Sequence, residues 1–300
     1  MNLFKENENI VVFDVNNDEL DLEDFLISKD LSSRLCRKLY KKKQIYVNGK
    51  FQRKDLKLNR DDKVSIYMED EIDNTEPEKM DIDIVYEDFD LLILNKQPNV
   101  VVHPTKSHQE NTLSNGIAYY FKKNNINKKI RFVNRLDMDT TGLLIVAKNP
   151  FAHQQMALQF EANTVDKKYL TIVAGIVEKD EDYIDCPIGR EEEKSIRKVV
   201  AENGQQSLTK YMVKERYKDN SLIDVQIFTG RSHQIRVHLA HIGHPIIGDS
   251  LYGEESPYID RQALHSYYLK FKHPRTKEEI EIIATLPKDM ENLKNRIKNK

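Results

Sequence analysis

Cysteine is almost absent from this 300-residue chain: Cys36 and Cys186 stand alone, far apart and outside any Cys-x-x-Cys spacing. That excludes a disulfide framework, and both read as small core residues in a reducing compartment. The first nine residues contain no apolar signal core, and no run approaches the ~20 apolar residues a membrane helix requires. A cytoplasmic protein away from membranes is therefore expected. Neither a Gly-rich phosphate loop nor a dinucleotide fingerprint occurs, so the common nucleotide-cofactor classes lose their sequence support. Apolar residues make up 39% and charged residues 32% of the chain, against norms of about 45–50% and about 25%. The length suits about two domains at roughly 100–200 residues each.

The net charge of −2 argues against nucleic acid only as an average. Residues 31–66 carry twelve Lys/Arg against three Asp, a local balance of +9. Residues 69–90 carry eleven Asp/Glu against Lys79 alone, a balance of −10. The basic block is a candidate phosphate-binding surface, because each contacted phosphate releases condensed counterions. A merely solvated face is the competing reading.

Residues 18–70 read as a small mixed module. Residues 20–26 have helical spacing, and residues 31–40 form a second helical segment with serine N-cap candidates. The short strand Ile45-Tyr-Val47 turns through Asn48-Gly49, the strongest two-residue hairpin signal. Residues 64–68 supply a closing strand. The acidic residues 71–81, with Pro77 and little apolar content, read as a linker. Residues 82–300 mix both element types without regular alternation. Strands are expected at residues 91–94, 142–147, 169–173 and 222–228, and helices at residues 150–163, 232–242 and 289–300. The class is α+β, with a mixed or antiparallel sheet and flanking helices.

The chemistry concentrates in residues 131–142, Arg-Phe-Val-Asn-Arg-Leu-Asp-Met-Asp-Thr-Thr-Gly. A short apolar strand precedes Asp137 and Gly142 opens another, so Asp137 sits on a loop between rigid elements. On local chemistry alone it reads first as a turn cap. The segment, however, resembles the active-site motif of the RluA family of pseudouridine synthases, usually His-Arg-Leu-Asp-x-x-Thr-Ser-Gly-Leu-Leu. Asn134 replaces the usual His and Thr141 the usual Ser, which leaves open what supports the loop from behind. Further blocks follow in the family's order. Lys96-Gln-Pro-Asn-Val-Val-Val-His-Pro104 carries Asn99 where Gly is usual, a change Asn tolerates because it visits left-handed φ. Lys167-Lys-Tyr-Leu-Thr-Ile-Val-Ala-Gly175, Pro187-Ile-Gly-Arg190, residues 229–249, Leu251-Tyr-Gly253 and Gln262-Ala-Leu-His265 complete the set. The N-terminal module is similar to the RNA-binding S-four domain, whose end reads Val-x-Val-Asn-Gly. Lys43 stands where that module often has Gly, a change expected to reshape the turn.

The resemblance implies an RNA-uridine isomerase. Its reaction breaks the bond between ribose and base nitrogen, turns the uracil and rejoins it through carbon five. No redox change or external group enters, so no cofactor is expected. Asp137 is implied as the catalytic carboxylate, acting as nucleophile at base or sugar or assisting proton removal from the sugar; the sequence leaves these routes open. Arg236 is implied to pair with Asp137, Tyr169 to stack on the uracil near carbon five, and Arg135 to hold the flipped-out RNA. Arg34, Arg37, Lys38, Lys41, Lys42 and Lys43 are the candidate RNA contacts of the module. Large-subunit ribosomal RNA is the expected substrate, since family members with this module commonly act there; transfer RNA is the alternative. A monomer is expected. A non-catalytic RNA-binding or assembly factor is the rival reading, disfavoured by the intact Asp137, Tyr169 and Arg236. His233, His238, His241 and His244 crowd one segment, but helical offsets carry His238 off the others' side and no His-Glu-x-x-His pattern occurs, so no metal is expected and a metal hydrolase ranks third.

Overall fold

The structure, a computed structural model, describes residues 2–105, 109–192 and 195–299. The N-terminal part runs β1 (Ile10–Asp14), β2 (Leu20–Asp21), α1 (Leu22–Ser28), α2 (Ser33–Lys41), β3 (Ile45–Val47), β4 (Lys50–Phe51), β5 (Lys57–Leu58) and β6 (Lys63–Tyr67). The Ser32 side chain accepts the Leu35 amide and caps α2, as the serine pair suggested. Asn48 and Gly49 both take positive φ and turn the β3–β4 hairpin. Lys43 adopts a φ of 56°, the left-handed conformation that glycine takes most readily. The strain is on the order of 1–2 kcal/mol. The sheet order is β1-β6-β3-β4. Strand β1 lies ahead of the expected start at residue 18, and its Ile10 and Val11 are fully buried. Helix α1 begins only at Leu22, because Leu20 and Asp21 pair with β5 instead.

The second part comprises β7 (Asp83–Glu87), β8 (Leu91–Lys96), α3 (Leu113–Lys123), β9 (Arg131–Phe132), β10 (Thr141–Ala147), α4 (Pro150–Glu161), β11 (Asp166–Ala174), β12 (Glu181–Asp185), β13 (Ile188–Arg190), β14 (Lys198–Val200), β15 (Leu208–Arg216), β16 (Asn220–Ile227), α5 (Gln234–His241), β17 (Leu264–Lys272), β18 (Glu279–Ile283) and α6 (Lys288–Lys298). The main sheet follows β12-β15-β16-β11-β17-β10-β8-β7, with β9 on β10 and β18 on β17. Its pairings are antiparallel except β10 with β17, which makes the sheet mixed and the class α+β. Both faces are covered, and the strand period shows it. Leu92, Leu94, Leu144 and Val146 join one core with Leu113, Ile117 and Phe121 of α3 and Met290 and Leu293 of α6. Their neighbours Leu91, Ile93, Leu143 and Ile145 join the opposite core with Ala152 and Met156 of α4. Each such fully buried aliphatic side chain stabilises the fold by roughly 1.5–3 kcal/mol relative to exposure.

The acidic stretch after β6 has no regular structure, yet it is tied down along its length. Glu71 pairs with Arg131 and Lys38, Asp73 accepts the Ile130 amide at 2.8 Å, and Asn115 donates to the Glu76 carbonyl at 2.8 Å. The two parts also touch directly. Phe151 of α4 packs in the N-terminal core, edge-on to Phe13 at 6.0 Å. Arg275 forks onto Asp90 at 2.8 Å through both nitrogens and donates to the Asn7 and Ile10 carbonyls at 3.0 and 2.7 Å. Among the described residues no helix is long and apolar enough to cross a membrane.

Candidate active site

The loop between β9 and β10 carries Asp137, and backbone chemistry fixes both of its ends. At the near end, the Asn134 side-chain oxygen accepts the Ile145 amide at 2.8 Å, so Asn134 joins the loop to β10 as a backbone carbonyl would. This is what stands behind the loop where the family usually has His. At the far end, Gly142 has a φ of 111°, and a Cβ there would meet the Ser266 carbonyl oxygen at 2.1 Å. Only glycine permits the close parallel contact of Thr141 and Gly142 with His265 and Ser266. In the middle, Lys96 is 1% exposed and donates to the carbonyls of Gln97, Val100 and Met138 at 2.8, 2.9 and 2.6 Å. Burial takes its ammonium down to about 7, with Asp139 and Asp137 opposing and Arg261 assisting the fall. Arg261, also buried, donates to the Asp139 carbonyl at 3.0 Å and forks onto Asp289 of α6 at 2.7 and 3.0 Å. Asn99 takes a φ of 59°, as expected of the residue standing for glycine.

The α5 side brings Arg236. Its Nη1 donates to Asp137 Oδ2 at 3.3 Å, while Nε and Nη2 fork onto Asp249 at 2.7 and 2.8 Å. The Asp249 side chain is fully buried and also accepts the Leu251 and Tyr252 amides at 3.1 and 3.2 Å. A bidentate guanidinium–carboxylate pair holds a plane as well as a distance, so Asp249 sets the angle at which Arg236 meets Asp137. The Tyr252 ring backs the guanidinium at 5.0 Å. Its hydroxyl meets His233 Nδ1 at 2.8 Å and accepts the Lys198 amide. His233, at a φ of 57°, precedes the first turn of α5.

Tyr169 comes from β11, beside a register shift between β11 and β17 at Lys168 and Tyr169. Such irregularities re-aim side chains beside functional sites. Burial pushes its phenol up to about 12, with Ser266 opposing and Asp137 adding, so the hydroxyl is protonated at neutral pH. Asp137, Tyr169 and Arg236 line one cavity of roughly 500 Å³, with Arg135 and Lys167 also on its walls. Arg135 is exposed there and donates to Ser232 Oγ.

A model of the RNA pseudouridylate synthase family matches residues 90–241. The chain belongs to that family. It is 40% identical over 279 residues to the uncharacterized RNA pseudouridine synthase YlyB of Bacillus subtilis, covering 91% of this chain and 92% of the relative. In an alignment of 279 residues it is also 33% identical to ribosomal large subunit pseudouridine synthase D of Buchnera aphidicola, covering 87% of this chain and 88% of the relative. The solved human RNA pseudouridylate synthase domain containing 1 aligns at a TM-score of 0.58 with 28% identity, covering 75% of this chain and 98% of that one. The protein is thus an RNA pseudouridine synthase, an isomerase, and the RluA-type resemblance of its motifs holds.

Other site residues of the synthase carried weaker signals. Asp249 closes a motif block and Lys96 opens one, but neither position announces its partner. Arg261 lies outside those blocks, and only the fold reveals its grip on the loop. The clustered histidines disperse: His238 bonds Thr209 Oγ1 and the Cys186 carbonyl, and His244 bonds the Ala174 carbonyl. The basic module residues Arg34, Arg37, Lys38, Lys41, Lys42 and Lys43 are exposed on α2 and the turn after it, and none of them lines the cavity. Lys38 pairs with Glu71 at 3.3 Å and Lys42 with Glu69, so the opposite charge blocks of the sequence meet in space.

Proposed function

We propose that this synthase converts uridines of large-subunit ribosomal RNA to pseudouridine, with Asp137 as the catalytic carboxylate and without a cofactor. The observation that carries the reading is the line Asp249–Arg236–Asp137 at the wall of a cavity of roughly 500 Å³. It gives Asp137 a fixed orientation and a cationic neighbour. Tyr169 offers a ring for the uracil to stack on, and its protonated hydroxyl is a poor resident base, which casts it as a platform first. The target uridine reaches Asp137 only out of its stack, at a few kcal/mol. Arg135 at the cavity wall is placed to hold the RNA in that state. The reaction is a rearrangement with no net redox change, which is why a cofactor has no task in it. Asp137 attacks base or sugar, or assists removal of a sugar proton; in each case the carboxylate must be ionised.

The N-terminal part is proposed as an S-four-type RNA-binding domain at residues 18–70, followed by an acidic linker at 71–81 and the catalytic domain at 82–300. Its exposed Arg34, Arg37, Lys41 and Lys43 meet phosphates most directly, while Lys38 and Lys42 must first leave Glu71 and Glu69. The ribosomal target is supported by the relatives named for it. Asp137→Asn is expected to abolish pseudouridine formation while RNA affinity stays within about threefold; activity in that variant refutes the assignment. Mapping pseudouridines in total RNA from cells with and without the gene tests the substrate. Loss of a site in transfer RNA alone would overturn the ribosomal reading.

A further inference from the structure

Lys167 is an ammonium without a counter-charge contact in the wall of the catalytic cavity. It is 6% exposed, and its Nζ has no hydrogen bond or ion pair among the described residues. The Phe160 ring lies 4.9 Å from Nζ. Asp166, adjacent in sequence, accepts Gln226 Nε2 at 2.8 Å and faces Lys168 at 3.8 Å. It therefore answers other partners. The residue is buried, but its Nζ is not sealed from solvent, so a polar group arriving in the cavity can meet it. Burial draws the Lys167 ammonium below its ordinary value, with Asp166 opposing.

Lys167 and Tyr169 are two residues apart on β11 and line the same cavity. At about 3.3 Å per residue, their backbones stand roughly 7 Å apart. If the uracil lies on Tyr169, the flexible Lys167 side chain reaches the rim of the ring, where the carbonyl oxygens are. Exposed arginines such as Arg135 and Arg231 are available for phosphates at the mouth; Lys167 lies deeper. We infer that Lys167 is a catalytic residue that donates a hydrogen bond to a uracil carbonyl oxygen and stabilises the negative charge the base acquires when it leaves the ribose. This rests on the proposed reading that Asp137 acts on a uridine in this cavity.

The electrons balance as follows. When the bond between N1 and C1′ breaks, its pair stays with N1 and spreads onto the carbonyl oxygens, making a uracil anion. The deficit at C1′ is met by a bond to a carboxylate oxygen of Asp137, or by loss of a sugar proton to a base. If Asp137 instead adds to the base first, the displaced pair again resides on a carbonyl oxygen. After the turn, C5 bonds to C1′ as the bond to Asp137 breaks and the carboxylate leaves with its electron pair, or as the sugar takes its proton back. Any bond between Asp137 and the base is likewise released, the C5 proton departs, N1 takes one up, and the neutral isomer results. A fixed cation at the oxygen serves the charged stage and is idle in the neutral ground states, which is the condition for raising the rate constant.

The test is single-turnover kinetics of wild type, Lys167→Met and Lys167→Arg on one RNA carrying uridine or 5-fluorouridine at the target. Methionine keeps the aliphatic stem, and arginine keeps the charge. Lys167→Met is expected to slow uridine consumption roughly 10²-fold, the usual effect of removing one such donor. RNA affinity should stay within about threefold, and Lys167→Arg should recover about tenfold or more. Fluorine stabilises the departing anion, so the methionine variant should lose less than tenfold on fluorinated RNA. An equal loss on both RNAs, or a loss of affinity with an unchanged rate constant, overturns the inference. A misfolded variant would lose both activities equally and so counts against it. Failure of the underlying reading is distinguishable: then wild type itself, or Asp137→Asn alone, departs from expectation.

Discussion

Asp249→Asn isolates what holds Arg236 in place. The amide keeps the side chain's volume and can leave its oxygen toward Arg236 Nη2 and the Leu251 and Tyr252 amides. Its NH2 must then face the Arg236 Nε–H, which now donates to Asp249 Oδ2 at 2.7 Å. Donor meets donor, and a buried guanidinium loses its nearer counter-charge. Breaking a buried ion pair by removing one partner costs about 3–5 kcal/mol. Asp137 at 3.3 Å remains as partial compensation, so the expected loss is at the lower end, about 3 kcal/mol. Against a total stability of about 5–15 kcal/mol, the variant stays folded at 25 °C. At about 2–4 °C per kcal/mol for chains of comparable size, its melting temperature should fall by roughly 6–12 °C. Arg236 swings toward Asp137, and a misplacement on the order of 1 Å can lower turnover about 10²-fold. Calorimetry and single-turnover kinetics on the same preparation read both effects. A variant that melts with wild type and turns over at the wild-type rate refutes the view that Asp249 fixes Arg236.

Gly142→Ala should be worse for folding than for binding: its Cβ would sit 2.1 Å from the Ser266 carbonyl oxygen at a φ of 111°, and urea unfolding should register a loss of more than about 3 kcal/mol. His265 is fully buried, and burial takes its imidazole from 6.5 to about 4, with the Ala284 backbone opposing and Arg261 assisting. The unfolded chain therefore binds that proton first, so stability falls as pH drops from 6.5 toward 4 and then levels, by about 3 kcal/mol for this group. Urea midpoints across that window should decline less in His265→Gln than in wild type. Replacing Arg34, Arg37 and Lys41 together by Gln should weaken RNA binding and shallow the slope of log affinity against log salt by up to about 2.7, at about 0.9 per phosphate on duplex RNA treated as B-form and less on single strands. An unchanged slope would show that α2 is only a solvated face.

Much of the scaffold was legible because its strands announce themselves. Residues 142–147 are continuously apolar, and β10 is buried at every position. The Asn48-Gly49 turn and the Ser32 cap are local chemistry, readable at a distance of two or three residues. Strands β12, β15 and β18 were not anticipated, since their alternating charged residues blur the apolar pattern, as in Glu279–Ile283. Helix α3 escaped because Ser114, Asn115 and Gly116 are poor helix formers; burial against the sheet overrides them. At the site, Asp137 and Arg236 were readable only through ordered motifs, being 99 positions apart. The fork from Asp249 and the clamps from Lys96 and Arg261 are tertiary facts with no local pattern. Lys167 looked like one lysine of a pair, and only its burial separates it from Lys168.

The short parallel contact of β10 with β17 also sets a timetable. Thr141 meets His265 across 124 positions of chain, through a 2.9 Å bond between Oγ1 and Nδ1. A ribosome adding about 5–20 residues per second takes roughly 6–25 s to travel that far. During that interval the segment bearing Asp137 lacks this anchor, and Arg236, made late in the interval, precedes Asp249 by a further 13 positions. A half-made copy, still tethered to the ribosome, therefore carries the Asp137 loop before the residues that position it have been made.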